Sequence, residues 1–307
     1  MISAETKLIA LIGNPVRHSL SPLIQNYFIK KYLLDVVYLA FEFEEEDLEE
    51  AFNGAKKLGF LGLNVTMPYK NAVFKLVDRP DDVSKIIKSV NTVKFDKENK
   101  ISEGYNTDVK GFISSLDEKS FKWKQSSCLV IGAGGAARGA IYGLLKKEVK
   151  DIWVYNRTVE KIHNIIKDLK NEGSGRIHIL NNINDLDDKI DGIDLILNCT
   201  PLGMDTGEDT TGARTLSYKD IMPVPDSWNL GDKFVFDMVY KPSETLLLKK
   251  AKKEGAVIIK GIDLLISQAA YSFEIWTGIT PDAECIEEIK RKVLINIENM
   301  ENNELKY

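Results

Sequence analysis

Amine, carboxylate and hydroxyl side chains stand at the ends of predicted strands in the first third of the chain. Lys70 closes the stretch NVTMPYK, Asp108 closes GYNTD, and Ser19 and Ser21 lie in GNPVRHSLSP. Lys70 is predicted in the first turn of a helix, where the dipole disfavours a cation and so favours an amine that acts as a base. Hydroxyls at a helix start suit a small carboxylate. Because open α/β sheets bind ligands at the carboxyl ends of their strands, these groups are predicted to form a ligand site.

A glycine loop follows an apolar strand near the middle of the chain. In CLVIGAGGAARGAIYGLL, Gly132, Gly134 and Ala137 fill the pattern G-x-G-x-x-A between a strand and a helix. The first glycine permits a tight turn, the second lets the backbone approach a pyrophosphate, and the helix start offers free N–H groups. Gly135 adds room for the same approach. The pattern predicts a dinucleotide-binding domain.

The end of the next strand indicates which dinucleotide binds. DIWVYNRT ends in Asn156, Arg157 and Thr158, with no Asp or Glu to accept hydrogen bonds from a ribose 2′-hydroxyl. A guanidinium at this place suits a 2′-phosphate, and Lys161 adds positive charge one turn later. The alternative is that Arg157 only caps an exposed strand end. Because the acid is missing and the base is present, the sequence favours NADP over NAD.

Apolar strands alternate with amphipathic helices along the chain, and these elements position the polar side chains and the glycine loop. The alternation predicts an α/β protein with mostly parallel sheets. The length of 307 residues favours two domains. In the first half, strands are predicted at 7–13, 36–43, 61–66 and 91–96, and helices at 21–33, 46–58 and 69–77. In the second half, strands are predicted at 128–131, 152–155, 177–180, 194–199, 234–238 and 256–260. The stretch 205–232 is predicted to be a long loop.

Composition argues against several other classes of protein. The net charge is −5 and the basic residues are scattered, so nucleic-acid binding is not expected. No segment approaches the roughly 18 consecutive apolar residues of a membrane span. Three widely separated cysteines, Cys128, Cys199 and Cys285, predict buried thiols in a reducing compartment, and the protein is expected to be cytoplasmic. No metal site is predicted.

Together these segments resemble the shikimate dehydrogenase family. GNPVRHSLSP, NVTMPYK, VNT, GYNTD and GAGGAAR are similar to motifs of that family, and NRT, NCTPLGM, DMVYKP and KGIDLLISQAAYSFEIWTG continue them in the same order. The blocks extend from Gly13 to Gly278 and so cover most of the chain. The resemblance implies two α/β domains with a cleft between them. It implies a substrate domain at 1–112, completed by about 245–307, and a Rossmann-like NADP-binding domain at 113–244.

The resemblance also implies an activity and a role for each site residue. The activity is the NADP-dependent interconversion of 3-dehydroshikimate and shikimate in chorismate and aromatic amino-acid biosynthesis. The protein is expected to be a monomer or a homodimer, and the sequence leaves the choice between these two states open. Lys70 and Asp108 form the catalytic pair. The substrate-binding residues are Ser19, Ser21 and Tyr240 for the carboxylate, and Thr66, Asn91, Asp108 and Gln268 for the ring hydroxyls. The cofactor-binding residues are Gly132, Ala133, Gly134, Gly135, Ala136, Asn156, Arg157, Thr158, Lys161 and Gly261.

Some residues depart from the family pattern and leave the substrate preference open. Lys88 and Ser89 precede VNT where small Gly or Ala is expected, and Asp263 and Leu264 stand where glycine or methionine is commoner. The loop 205–232 is longer than expected. A quinate/shikimate dehydrogenase that uses NAD is therefore an alternative. A non-catalytic, NADP-dependent ligand sensor is another, although a sensor would be expected to lose the lysine and aspartate pair.

Overall fold

The computed structural model describes residues 2–98, 100–205 and 218–304. The chain divides into two compact units. One unit contains Met1–Gly111 and Leu265–Val293, and the other contains Phe112–Leu264 and Leu294–Tyr307. No helix in the described part of the chain is long and apolar enough to cross a membrane.

The described residues form an α/β protein. The strands are β1 (Lys7–Gly13), β2 (Val36–Glu42), β3 (Gly62–Val65), β4 (Arg79–Pro80), β5 (Thr92–Asp96), β6 (Ile101–Tyr105), β7 (Ser127–Ile131), β8 (Asp151–Tyr155), β9 (Ile177–Leu180), β10 (Leu195–Asn198), β11 (Phe234–Asp237) and β12 (Val257–Lys260). The α-helices are α1 (Ser21–Lys31), α2 (Leu48–Leu58), α3 (Lys70–Leu76), α4 (Asp82–Ile87), α5 (Thr107–Asp117), α6 (Gly135–Lys146), α7 (Val159–Asp168), α8 (Leu246–Glu254), α9 (Gly261–Thr277) and α10 (Ala283–Glu304). Strands and helices alternate along most of the chain, as the sequence predicts.

The sheet of the first unit has the strand order β2-β1-β3-β5-β6-β4. β1 is parallel to β2 and β3, and β4 is parallel to β6, whereas β5 is antiparallel to both of its neighbours. Phe52, Leu63, Val73 and Val93, each at most 2% exposed, belong to the core that α2 and α3 form with this sheet. The sequence-based prediction lacks β4, β6 and α4, which are short and rich in polar residues.

The sheet of the second unit has the order β12-β11-β10-β7-β8-β9, and every pairing is parallel. Numbered from β7, this is the order 3-2-1-4-5-6 of dinucleotide-binding domains. All residues of β7 and β10 are buried, which explains their almost uninterrupted apolar sequences. β12 pairs with β11, and the second unit includes the chain up to Leu264.

Segments outside the strands differ from the predictions in detail. Helix α1 begins at Ser21, as predicted, with Leu20 as its N-cap, and it ends at Lys31, two residues before the predicted end. Pro68 lies in the turn before α3, which begins at Lys70. Within the predicted loop 205–232, residues 206–217 lie outside the described residues. Its described remainder, 218–232, forms turns and packs three side chains into the second core: Val224, Trp228 and Leu230.

Helix α1 is tied to strand β2, which lies at one edge of the first sheet. Oδ1 of Asn26 accepts a hydrogen bond from the backbone N–H of Tyr38 over 3.0 Å. Nδ2 of Asn26 donates to the backbone O of Tyr38 over 2.8 Å. The side-chain amide of Asn26 therefore fixes α1 to the backbone of β2. Ser19 and Ser21 lie at the start of this anchored helix.

Replacing Leu33 by glycine is expected to stabilise the first unit. Leu33 follows α1 with φ of 53°, and the bonds from its N–H to Lys30 O and from Leu34 N–H to Ile29 O form a Schellman motif. A left-handed backbone conformation costs a non-glycine residue about 1–2 kcal/mol, and glycine removes this cost. Glycine also lowers the free energy of unfolding by about 0.4–1 kcal/mol, because it raises the conformational entropy of the unfolded chain. Because Leu33 is 91% exposed, little packing is lost. We expect a gain of about 0.5–1 kcal/mol in the free energy of unfolding, measured by urea denaturation.

Gly59 supplies the matched control because it ends α2 with φ of 79° and the same pair of backbone hydrogen bonds. Gly59→Ala is expected to destabilise the protein by about 1 kcal/mol. A Leu33→Gly protein that is less stable than the unaltered one would show that the exposed leucine contributes packing that outweighs its backbone cost.

Candidate functional site

Lys70 and Asp108 form an ion pair in the first unit. Nζ of Lys70 lies 2.8 Å from Oδ2 of Asp108, and the two side chains are 26% and 29% exposed. Lys70 is the first residue of α3 and Asp108 is the second residue of α5. The dipole at a helix start favours a carboxylate and disfavours a cation, so stability alone would not select Lys70 there. Partly exposed ion pairs contribute little to stability, but their atoms remain accessible to a ligand.

Asn91 contacts the carboxylate of Asp108 from another side. Its Nδ2 donates to Oδ1 of Asp108 and to Oγ1 of Thr107, each over 2.9 Å. The backbone N–H of Thr107 donates to Oδ1 of Asn91 over 2.8 Å, which determines which end of the amide faces Asp108. Asn91 is only 2% exposed, and both of its amide hydrogens are used within the protein. The structure thus brings Asn91 to the predicted pair and leaves it no amide hydrogen for a ring hydroxyl.

Thr66 and Gln268 are both partly exposed, and glycines set their positions. A Cβ atom on Gly13 would lie 2.3 Å from Cγ2 of Thr66, so glycine lets the ends of β1 and β3 come this close. A Cβ atom on Gly111 would lie 2.9 Å from the backbone N of Gln268, so glycine also lets α5 approach α9. Nε2 of Gln268 donates to the backbone O of Leu265 over 2.8 Å. Each of these side chains retains a surface that a ligand can reach.

Ser19 and Ser21 lie at the start of α1. Oγ of Ser19 accepts a hydrogen bond from the backbone N–H of Ser21 over 3.2 Å, which leaves the Ser19 hydroxyl hydrogen as a donor. Ser19 is partly exposed, whereas Ser21 is 8% exposed. Ser19 therefore has the better access to a ligand at this helix start.

The glycine loop joins β7 to α6 in the second unit. Gly132 has φ of 115°, and a Cβ atom there would lie 3.1 Å from the backbone O of Cys199 and from Cγ2 of Thr200. Gly134 and Gly135 are exposed, and a Cβ atom on either would meet nothing within 4 Å. Gly134 is the N-cap of α6, without a side-chain cap hydrogen bond. The start of α6 is therefore open and positive, as the pyrophosphate of a dinucleotide requires.

Asn156, Arg157 and Thr158 lie between β8 and α7. Nδ2 of Asn156 donates to the backbone O of Thr158 over 2.8 Å, which stabilises this turn. Arg157 is exposed, and within the described part of the chain its guanidinium is paired with no carboxylate. Lys161, in the first turn of α7, is exposed as well. Because β8 pairs with β7, the two cations lie at the strand end next to the glycine loop and suit a 2′-phosphate.

A buried carboxylate joins the ends of β10 and β11. Asp237 accepts from Nδ2 of Asn198 over 2.9 Å and from Oγ1 of Thr245 over 2.7 Å. Burial raises the pKa of Asp237 to about 6. Oδ1 of Asn198 in turn accepts from the backbone N–H of Thr200 over 3.0 Å. This cluster fixes the loop after β10, against which Gly132 packs.

The other predicted residues of the second unit have different environments. Tyr240 follows β11 and is partly exposed, and burial of its ring raises the pKa of the phenol. Gly261 is buried at the start of α9, where a Cβ atom would lie 2.4 Å from the backbone O of Met238. Glycine is therefore required there by packing alone. In the glycine loop, Ala133 is 9% exposed and Ala136 is exposed.

The cysteines are free thiols, and two of them match the predicted burial. Cys128 and Cys285 are buried, and Cys199, in the loop after β10, is partly exposed as a residue although burial raises the pKa of its thiol. Burial raises the pKa of Cys128, which keeps this thiol protonated and unreactive. Among the described residues, no group of three or more His, Cys, Asp or Glu side chains could hold a metal ion.

A buried polar cluster lies next to Asn91 and is not among the sequence-based predictions. Its members include Asn64, which is 6% exposed, and Ser272, which is fully buried. Asn64 has a recognisable signal: it is a polar residue within the apolar strand LGLNVT, and a buried amide is costly unless it is hydrogen-bonded. Ser272 has no such signal because a serine within a long helix is ordinary.

The chain is similar to known proteins over most of its length. Residues 11–93 match the shikimate dehydrogenase substrate binding domain, residues 115–203 match shikimate / quinate 5-dehydrogenase, and residues 261–289 match the shikimate 5′-dehydrogenase C-terminal domain. A shikimate dehydrogenase (NADP(+)) of Methanococcus aeolicus is 41% identical over 92% of this chain and 96% of its own length.

Two solved structures are similar to this fold. A crystal structure of a shikimate dehydrogenase in complex with NADP+ is 37% identical, with a TM-score of 0.82, and the match covers 96% of this chain and 98% of that one. A shikimate 5-dehydrogenase from Listeria monocytogenes, in complex with shikimate and NAD, is 29% identical with a TM-score of 0.83, over 94% of this chain and 97% of that one. With its glycine loop, strand order and motif positions, the chain belongs to the shikimate dehydrogenase family.

Proposed function

We propose that the protein is an NADP-dependent oxidoreductase that interconverts 3-dehydroshikimate and shikimate, a step of chorismate and aromatic amino-acid biosynthesis. In this proposal the first unit binds the substrate and the second binds NADP. The observation that carries the proposal is the 2.8 Å contact between the amine of Lys70 and the carboxylate of Asp108. Both side chains are partly exposed, so a ligand can reach them. The relative that is 41% identical and the solved structure bound to NADP+ support the activity and the cofactor.

Lys70 carries the proton in this proposal. Oxidation of a secondary alcohol removes a hydride from carbon and a proton from oxygen, and NADP+, when bound, accepts the hydride. Lys70 in its neutral form takes the proton from the hydroxyl oxygen, while Asp108 accepts a hydrogen bond from the amine and holds it in position. In the reverse direction the ammonium group stabilises the negative charge that develops on the carbonyl oxygen and then donates its proton.

Hydroxyl and amide groups orient the substrate around this pair. The hydroxyl of Ser19, which is partly exposed, donates a hydrogen bond to the substrate carboxylate at the start of α1. The helix dipole also favours an anion there. Thr66 and Gln268 bind ring hydroxyls. Asn91 acts on the substrate through Asp108, because both of its amide hydrogens are already donated within the protein.

The cofactor is held by the second unit. The open start of α6 binds the pyrophosphate through backbone N–H groups, with Gly134 and Gly135 leaving room for close approach. Arg157 and Lys161 bind the 2′-phosphate that distinguishes NADP from NAD.

The absorbance of the reduced nicotinamide tests this function directly. The protein is assayed with shikimate or quinate, each with NADP+ or NAD+, and the highest kcat/KM is expected for shikimate with NADP+. A higher value for quinate with NAD+ would favour the second candidate function, a quinate/shikimate dehydrogenase that uses NAD. Two findings support this candidate: the matching family description names quinate, and the similar structure from Listeria monocytogenes contains NAD. No turnover with any of the four combinations would contradict the proposed activity.

Replacing Ser19 by alanine is expected to weaken shikimate binding more than turnover. The substrate carboxylate keeps its charge during the reaction, so its contacts stabilise the ground state and the transition state equally. We expect the KM for shikimate to rise about threefold to tenfold with kcat changed less than about twofold. The Ser19→Thr variant keeps the hydroxyl and serves as the control. An unchanged KM in Ser19→Ala would remove Ser19 from the substrate site.

A further inference from the structure

We propose that Ser272, on α9, is a positioning residue for the pair formed by Lys70 and Asp108. Ser272 touches neither side chain of the pair. It acts through a chain of buried hydrogen bonds that ends on the Asp108 carboxylate. The inference rests on the proposed function, since it assumes that this pair carries the reaction.

Ser272 joins three elements of the first unit. Its Oγ lies 2.8 Å from Oγ1 of Thr92 at the start of β5 and 3.1 Å from Oγ1 of Thr107 at the start of α5. It accepts from Nδ2 of Asn64 on β3 over 3.2 Å and donates to the backbone O of Gln268, one turn earlier on α9, over 3.0 Å. A single hydroxyl therefore fixes the distances between α9 and the ends of β3, β5 and α5.

Both threonines that contact Ser272 also hold Asn91. The single hydroxyl hydrogen of Thr92 is shared between Oγ of Ser272, 2.8 Å away, and Oδ1 of Asn91, 3.1 Å away, and Oγ1 of Thr107 accepts from Nδ2 of Asn91 over 2.9 Å. The remaining Nδ2 hydrogen of Asn91 is donated to Oδ1 of Asp108. Loss of the Ser272 oxygen would make the two threonine hydroxyls turn toward other partners, because a buried hydroxyl without a partner is costly. The amide that aims the Asp108 carboxylate would then lose its support.

The burial of this network argues that it fixes geometry rather than adding stability. Replacing both partners of a buried hydrogen bond by apolar groups of the same shape is often close to neutral for stability, whereas a buried network is costly unless each member is bonded. The hydroxyl of Tyr38 closes the far end by donating to Oδ1 of Asn64 over 2.8 Å. The network residues are at most 6% exposed: Tyr38, Asn64, Asn91, Thr92, Thr107 and Ser272. The ion pair at its other end is the part of this hydrogen-bonded group that is open to a ligand.

Steady-state kinetics of Ser272→Ala test the proposal. Alanine is the best helix former and removes only the hydroxyl, so α9 is expected to persist. We expect kcat with shikimate to fall about fivefold to tenfold, with the KM values for shikimate and NADP+ changed less than about twofold, because orientation rather than binding is lost. The control is Ser84→Ala, which also removes a fully buried helical serine hydroxyl, one that has no partner within the described residues. Ser84→Ala is expected to keep the original constants.

The Thr92 variants show whether the loss passes through the network. Thr92→Val keeps the shape of the side chain and removes the hydroxyl, so it should reproduce the lower kcat, whereas Thr92→Ser should restore it. If both residues act through Asn91, the double variant Ser272→Ala/Thr92→Val loses no more than the larger single loss. Losses of kcat that multiply in the double variant would show that the two residues act separately and would overturn the proposal.

Crystal structures of the variants supply a readout that does not depend on activity. In Ser272→Ala, the Asp108 carboxylate is expected to turn away and the 2.8 Å contact with Lys70 to lengthen, with no such change in Ser84→Ala. An unmoved carboxylate or an unchanged kcat in Ser272→Ala would overturn the positioning role while the activity stands. If the unaltered protein fails to oxidise shikimate but Asp108 turns in Ser272→Ala, the proposed function falls and the positioning role is supported.

Discussion

Replacing Lys70 by alanine is expected to lower kcat for shikimate oxidation by about 10²–10⁴, the usual contribution of a positioned acid or base. The reaction must move a proton from the hydroxyl oxygen, and Lys70 Nζ is held at 2.8 Å from Asp108 at the partly exposed face of the pair. NADP+ binding should change little because the lysine lies in the substrate-binding unit. Steady-state rates over a range of shikimate concentrations separate kcat from KM.

Lys75 provides the control for Lys70 because it is an exposed lysine on the same short helix. Lys75→Ala is expected to keep the original kcat and KM. A Lys70→Ala protein that binds shikimate weakly but turns over at the original rate would make Lys70 a binding residue only. The ion pair would then be structural, and the proton carrier would have to be another group.

Replacing Arg157 by alanine is expected to reduce the preference for NADP over NAD. The guanidinium lies at the end of β8, beside the glycine loop, and in the proposed function it binds the 2′-phosphate that only NADP carries. Loss of one charge-assisted, bidentate contact corresponds to an increase of about tenfold to hundredfold in the KM for NADP+. The KM for NAD+ should change less than about twofold, since NAD offers no group to this side chain.

The ratio of kcat/KM for the two cofactors is the measurement that decides the Arg157 prediction. Lys167→Ala removes an exposed cation from the last turn of α7 and should leave that ratio unchanged. If the unaltered protein prefers NAD+, the interpretation of the strand end Asn156-Arg157-Thr158 is wrong whatever the variant does.

The strands of both sheets were largely predictable because their apolar runs are long and bounded by turns. The observed β1 coincides with the predicted 7–13, and the strands of the second sheet lie within one or two residues of their predictions. Short polar elements such as β6 and α4 have no periodicity strong enough to detect. The run 256–260 predicts a strand, but the sequence does not show that this strand, β12, pairs with β11 in the second sheet.

The site was predictable where motifs mark strand ends and helix starts. Lys70 and Asp108 are far apart in sequence, yet each follows a strand of the same sheet, and the structure brings them together. Ser272 could not be found in this way. Its hydrogen bonds reach residues 165, 180 and 208 positions away, and a serine within a long helix is an ordinary residue even though its partners lie in recognisable motifs. Contacts of this kind follow from the packing of α9, which no local pattern encodes.

Asn26 interrupts the open edge that β2 gives to the first sheet. An open sheet edge offers unpaired backbone groups that template aggregation, and β2 also carries Leu39 and Phe41, which are 45% and 41% exposed. Asn26 already occupies the N–H and C=O groups of Tyr38 that face away from β1, so an incoming strand would meet an interruption there. The amide that anchors α1 therefore also disfavours the addition of a further strand at this edge of the sheet.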